Sequence, residues 1–293
     1  MGEVSALLLD SRNAEACRRS VELSGTAVVE GLLPRFGRMT LAGMVEYFLV
    51  SARHPKAGQL RTEIRRRADP SWIAMLKAWS GERGEGGPFE SPEFEFKKIQ
   101  PENWAGDDSG WHLYERRFLG GLREAGFDSD FANGVLKAFA EMAENVVQHS
   151  AFDGSGSEGL AGYHVGPRRF AFSICDLGCG FLRSLHEDSR WAGLSSERDA
   201  ILAVVHKAAS RRAGQGEGEG FKQLWKAFAD HGAIVRLRSG DTVVTIRLVD
   251  GRRVAEVSSM PRIEGVHLNV CCTLGKKSSE KDLEFSLLNH GNE

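Results

Sequence analysis

The stretch AFAEMAENVVQHS, Ala138–Ser150, decides how this chain is to be read. It is helical in pattern and sets Glu141 and Asn145 four residues apart, so that both side chains leave one face of the helix. At 3.6 residues per turn the two lie within roughly 40° of each other. A carboxylate and an amide held in that way can divide two tasks, activating a nucleophile and binding Mg²⁺ through oxygen. Phe131, Val135, Phe139, Met142 and Val146 form one apolar arc of the same helix, and Gly134 and Ala138 leave room for a ligand on the side that carries Glu141 and Asn145. Asp128 or Ser129 stands where the helix needs an N-cap.

Two further segments carry chemistry. DLGCG, Asp176–Gly180, follows an apolar run, and its glycines let the backbone approach a flat ligand closely. GQGEGEGF, Gly214–Phe221, holds Gly214, Gly216, Gly218 and Gly220 and leads through Phe221 and Lys222 into a helical pattern. A glycine-rich turn at a helix N-terminus is a phosphate site, because unpaired N–H groups and the helix dipole both favour anions. No one of the three segments specifies a function; their order and spacing do.

The order E-x-x-x-N, then D-x-G-x-G, then G-x-G-x-G before a helix resembles the GHKL superfamily of gyrases, heat-shock chaperones, histidine kinases and mismatch-repair ATPases. Within it, ENVVQHS at Glu144–Ser150 and GEGFKQLWKAFAD at Gly218–Asp230 are most similar to the anti-sigma-factor serine kinases and the histidine-kinase-like ATPases. The resemblance runs from roughly Gly106 to Leu274. It implies an α+β fold, a two-layer α/β sandwich of the Bergerat ATP-binding type, with a mixed sheet covered by helices on one face and a mobile lid. It also implies ATP and Mg²⁺ as cofactors. Asn145 would chelate the Mg²⁺ that bridges the phosphates, and Glu141 would be the general base. His149 matches a histidine common in the anti-sigma kinases, either facing phosphate or packed. Asp176 would accept a hydrogen bond from the adenine amino group, with Gly178 and Gly180 giving the base access to the backbone. Gly216, Gly218 and Gly220 would turn their N–H groups to the phosphates. A carboxylate at a strand end, aimed into an apolar slot, selects an exocyclic amine and rejects a keto group.

Three departures from that pattern stand out. Glu217 and Glu219 sit between the phosphate-loop glycines and repel a triphosphate unless they point outward or pair with Arg211, Arg212 or Lys222. Val266 stands where the family often has a threonine. Glu141 stands where histidine kinases carry an asparagine, and the upstream sequence lacks their H-E-x-x-x-P arrangement, since His54 is followed at once by Pro55.

Composition sets wider bounds. The chain has 293 residues, enough for two domains, with ordinary apolar (41%) and charged (27%) fractions for a soluble globular protein. A net charge of −2 argues against a nucleic-acid partner. The basic run Arg61–Arg67 could form a DNA-contacting face, but with Leu60 and Ile64 it reads rather as the charged outer side of a helix. The longest apolar run, around Met44–Val50, contains Glu46 and is too short to span a bilayer, and Met1–Asp10 lacks the basic start of a signal peptide. Five cysteines without a staple pattern indicate reduced thiols and a cytoplasmic setting. Cys175 and Cys179 lack further ligands at metal-site spacing and read as packed thiols.

The expected organisation is an N-terminal mainly helical domain over residues 1–105, an ATP-binding domain over 106–275 and a polar tail over 276–293. In the first, Thr40–Ala52 carries the stripe Leu41, Met44, Val45 and Phe48, a helix starts at Asp69-Pro70, and Phe94–Ile99 reads as an edge strand. In the second, Trp111–Glu124 is a helix closed by Gly126, and Leu160–Val165 with Arg169–Cys175 is a hairpin turning at Gly166-Pro167. Leu182–Gly216 reads as the lid, with one helix around Glu197–Ala209. Four strands follow, with turns at Ser239-Gly240 and Asp250-Gly251. The function expected is a protein serine/threonine kinase-like phosphotransferase or ATPase switch acting on a protein partner, with no membrane partner and a homodimer as one option. The alternatives are a non-catalytic ATP sensor and a histidine-kinase catalytic domain without its own phosphoacceptor helix.

Overall fold

The computed structural model describes residues 41, 44–45, 48–49, 77–78, 94–100, 110–149, 158–207, 225, 228, 232–249 and 252–274. In chain order the elements are β1 (Phe94–Ile99), α1 (Trp111–Glu124), α2 (Ser129–His149), β2 (Gly159–Gly166), β3 (Arg169–Asp176), α3 (Gly180–Leu185), a 3₁₀ turn (Ser189–Trp191), α4 (Glu197–Lys207), β4 (Gly232–Val249) and β5 (Arg252–Thr273). The fold is α+β. Among the described residues no helix is long and apolar enough to cross a membrane.

Local chemistry fixes the helix ends. Asp128 caps α2, its carboxylate accepting from Phe131 N at 2.9 Å. At the end of α1, Phe127 N reaches back to Leu122 O (3.1 Å) and Gly126 N to Arg123 O (3.0 Å), the paired bonds of a Schellman closure. Ser196 caps α4 reciprocally: Asp199 N donates to its hydroxyl at 3.1 Å while that hydroxyl donates to the Asp199 carboxylate at 2.7 Å.

The five strands lie in the order β1-β2-β3-β5-β4. All four pairings are antiparallel, which corrects the mixed sheet expected. The reason is the position of β5. β3 and β4 point the same way, as the helical crossover between them demands, but β5 folds back from β4 and inserts between the two. β1 pairs with β2 from Phe94↔His164 to Ile99↔Gly159, so it is the expected edge strand and belongs to the same sheet as the residues beyond 106.

The apolar arc of α2 faces this sheet. Phe131, Val135, Phe139, Met142 and Val146 are all buried, against Tyr163, Phe170, Phe172 and Ile174 of one sheet face. Phe118 of α1 is central: it stacks on Tyr163 with centroids 4.7 Å apart and meets Phe139 edge-on at 5.3 Å. The opposite face is covered too at β2. Leu41, Met44, Val45 and Phe48 are helical and buried as their stripe foretold, and Leu41 lies over Gly162, 3.0 Å from where a Cβ would stand. Helical cover is therefore not confined to one face. That second face holds polar groups out of solvent. Ser173 Oγ is 2.8 Å from His267 Nε2, and burial, then Arg236 and Arg238, hold the imidazole well below its ordinary 6.5.

Glu95 of β1 is 3% exposed and is clamped by Arg117 of α1, with Nε to Oε2 at 2.7 Å and Nη2 to Oε1 at 2.5 Å. Tyr163 donates its hydroxyl to the same carboxylate at 3.0 Å. Removing one partner strands a buried charge. Arg117→Ala should therefore lower stability by about 3–5 kcal/mol in chemical denaturation, and replacing Glu95 and Arg117 together by apolar residues should recover most of that loss. Equal stability of Arg117→Ala and wild type would show that the pair does not join β1 to α1.

Candidate functional site

Among the described residues, the end of β3 carries Asp176, Gly178 and Gly180, with the α2 residues nearby. Asp176 closes β3 on the face that α2 covers, since Phe170, Phe172, Ile174 and Asp176 alternate on that side. Its Oδ1 accepts from Gly178 N at 2.7 Å and from Val266 N at 3.2 Å. The first bond shapes the turn through Leu177 and Gly178, both buried; the second ties that turn to β5. The half-buried carboxylate is thus held in one orientation by two backbone donors.

The tie to β5 depends on an irregular stretch. The ladder with β4 is regular to Ser239↔Val266 and resumes at Gly240↔Ile263, so β5 accommodates Glu264 and Gly265 as extra residues. Bulges of this kind re-aim backbone groups at sheet ends. Gly265 has φ +81°, and a Cβ there would stand 3.0 Å from Asp176 Oδ1 and closer still to the Asp176 carbonyl oxygen. Only glycine satisfies both the left-handed backbone and the close approach. The expected turn at Ser239-Gly240 is overturned: β4 runs without a break through it, and the dipeptide is part of this bulge. The ladder instead closes at Val249↔Arg252, around the Asp250-Gly251 position expected for a turn, whose own residues lie outside the described ones.

The α2 residues stand next to this strand end. Gly159 of β2 pairs with Asp176, and a Cβ on Gly159 would meet Val146 Cγ1 at 2.7 Å. Val146 follows Asn145 directly. Asn145 is exposed although Ala138 and Met142, its neighbours around the helix, are buried, so the helix flank beside the arc is open to solvent there. Glu141, one turn earlier, is part-exposed on that same flank. Glu144 accepts a hydrogen bond from Gln148 along the helix surface. His149 is the last residue of α2, and its side chain lies outside the described residues, as do Gly214, Gly216, Gly218, Gly220, Phe221 and Lys222.

The lid expectation needs revision. Leu185 of α3 and Ala200, Ile201, Ala203, Val204 and Val205 of α4 belong to the main core. α3 and α4 are thus packed onto the rest of the core, while the link between them, 186–196, is exposed or half-buried, and residues 208–216 of the expected lid lie outside the described ones.

Gly180 also follows the turn with a left-handed backbone, φ +82°, and a Cβ on it would press on Ser239 Oγ at 2.8 Å. Cys175 and Cys179, on either side of the turn, have thiols pushed up in pKa by burial first and by the Asp176 charge second. Cys175 is buried and Cys179 half-buried. Among the described residues no group of three or more His, Cys, Asp or Glu is arranged to hold a metal ion. Asn145 offers a hard amide oxygen, which suits Mg²⁺ that takes most of its ligands from phosphate and water.

Sequence reasoning missed Gly265, Glu197 and Ser239. Glu197 looks like any first-turn acid of a helix, yet it is 4% exposed and donors converge on it. No family model matches this chain, and no curated protein matches its sequence.

Gly265→Ala should cost roughly 1–3 kcal/mol, the strain of a left-handed alanine pressed against Asp176. The variant should also lose protection of the Val266 amide in hydrogen exchange. Unchanged stability and protection would show that the bulge does not fix Asp176.

Proposed function

We propose that this chain binds Mg²⁺–ATP with a Bergerat-type fold and acts as a phosphotransferase or ATPase switch on a protein partner. One observation carries the reading: the Asp176 carboxylate, oriented by Val266 N and Gly178 N, ends a strand one ladder step from Gly159, against which the α2 turn bearing Asn145 packs. This joins two of the three motif segments at one end of the sheet, with the α2 flank open to solvent.

Each residue then has a task. Asp176 would accept a hydrogen bond from the exocyclic amine of adenine, and Gly178 would leave the base room beside the backbone, whereas the space at Gly180 is taken by Ser239 and Glu197. Asn145 would hold Mg²⁺ through its amide oxygen. Gly214, Gly216, Gly218, Gly220 and Lys222 would receive the phosphates. When bound, ATP supplies the phosphoryl group and Mg²⁺ offsets its charge. Glu141 would take the proton of the attacking hydroxyl or water. The chain's contribution is chiefly alignment and charge neutralisation. Glu144, already engaged by Gln148, is the weaker candidate for the base.

A second reading, a non-catalytic ATP sensor, is favoured by Glu217 and Glu219 in the phosphate segment, where carboxylates oppose charge build-up. Turnover separates the two. With γ-labelled ATP, Glu141→Gln should keep nucleotide affinity within about threefold and slow phosphate release or transfer by roughly 10²–10⁴. Asn145→Ala should remove the Mg²⁺ dependence of ATP binding without lowering the melting temperature, because alanine is the better helix former. A wild-type protein that binds ATP and never cleaves it, with its partner present, would leave the sensor. A Glu141→Gln variant with wild-type turnover would move the base elsewhere.

A further inference from the structure

We infer that Glu197, acting through Ser239, is a positioning residue that holds the Asp176–Gly180 turn in the form that receives a nucleotide base. The inference rests on the nucleotide reading of that turn and adds the part of the molecule that keeps it in shape.

Glu197 is 4% exposed, and Ser239 is fully buried. Glu197 Oε2 accepts from Ser239 Oγ at 2.9 Å and from Leu182 N at 3.3 Å. Ser239 Oγ in turn accepts from Phe181 N at 3.0 Å. Phe181 and Leu182 are the two residues directly after the D-L-G-C-G turn, so the carboxylate and hydroxyl together engage two consecutive backbone donors at its exit. Arg262 of β5 approaches the other carboxylate oxygen, with Nη2 4.0 Å from Oε1. The stem of Glu197 occupies the space that side chains at Gly180 and Gly240 would need: a Cβ on Gly180 would stand 3.1 Å from Oε1, and one on Gly240 2.9 Å from the carboxyl carbon.

The turn is therefore gripped at both ends by the same bulged part of the β4–β5 hairpin. Val266 N holds Asp176 at its start, and Ser239, the ladder partner of Val266, holds Phe181 at its exit. A buried carboxylate costs stability unless its oxygens are satisfied, and here Ser239 of β4 and Leu182 N at the turn's exit both donate to Oε2. Core packing alone would be served by an apolar residue at 197. A carboxylate there sets the path of the backbone from Gly178 to Leu182, on which the orientation of Asp176 depends.

The test uses the full chain with Glu197→Ala and Ser239→Ala. In the absence of ligand, amide exchange at Phe181 and Leu182 should rise about tenfold, the equivalent of one lost hydrogen bond, while β2 and α1 keep their protection. Affinity for adenosine and for ATP should fall by the same factor, about tenfold, and affinity for inorganic tripolyphosphate should not change. A purely structural role would move all three ligands alike or none. Should Glu197→Ala fail to fold, Ser239→Ala decides, since it removes a single oxygen. Folded variants that bind adenosine as tightly as a wild type that does bind it overturn the positioning role and leave the nucleotide reading intact. A wild type that binds neither adenosine nor ATP overturns the nucleotide reading itself.

Discussion

The candidate site hangs on one bond, from the Val266 backbone N–H to the Asp176 carboxylate, across β3 and β5. A regular antiparallel ladder would leave β5 straight at this level. The two residues added at Glu264 and Gly265 let Val266 turn its N–H onto the carboxylate, and the absence of a Cβ on Gly265 lets β5 come close enough to do so. The same irregularity frees Ser239 to meet Phe181 N and Glu197. One bulge thus orients the candidate base-reading group and anchors the turn behind it. Nearby, α2 can only set Asn145 beside this strand end because Gly159 admits Val146 against β2.

The core makes that arrangement rigid. Phe118, Phe139, Tyr163, Phe170 and Phe172 interlock between α1, α2 and the sheet, and the Glu95–Arg117 pair fastens the edge strand to α1. α3 and α4 extend the same core beyond the turn.

Much of this was legible in the sequence wherever the signal was local. The α2 arc from Phe131 to Val146, the Asp128 cap, the Gly126 closure and the β2–β3 hairpin all follow from periodicity and turn chemistry within about ten residues. The errors have a physical cause. Ser239-Gly240 reads as a turn because a turn and a bulge both ask for a glycine with positive φ, and Gly240 has φ +54° within the strand. Strand order is settled by where β5 inserts, which no window of residues reveals. Glu197 could not be singled out because its meaning comes from Ser239, 42 residues away in the chain. Asp176 stood out as a motif residue, and the hold that β5 has on it through Gly265 and Val266 did not.

The central claim is that the Asp176 end of the sheet reads adenine, and calorimetric titration of the wild-type chain with Mg²⁺–ATP and Mg²⁺–GTP tests it most directly. A carboxylate fixed as an acceptor pairs with the amino group of adenine and opposes the keto oxygen of guanine. ATP should therefore bind, with GTP weaker by at least about tenfold, the cost of one mispaired polar contact. Equal affinity for the two nucleotides, or no affinity for either, would contradict the account.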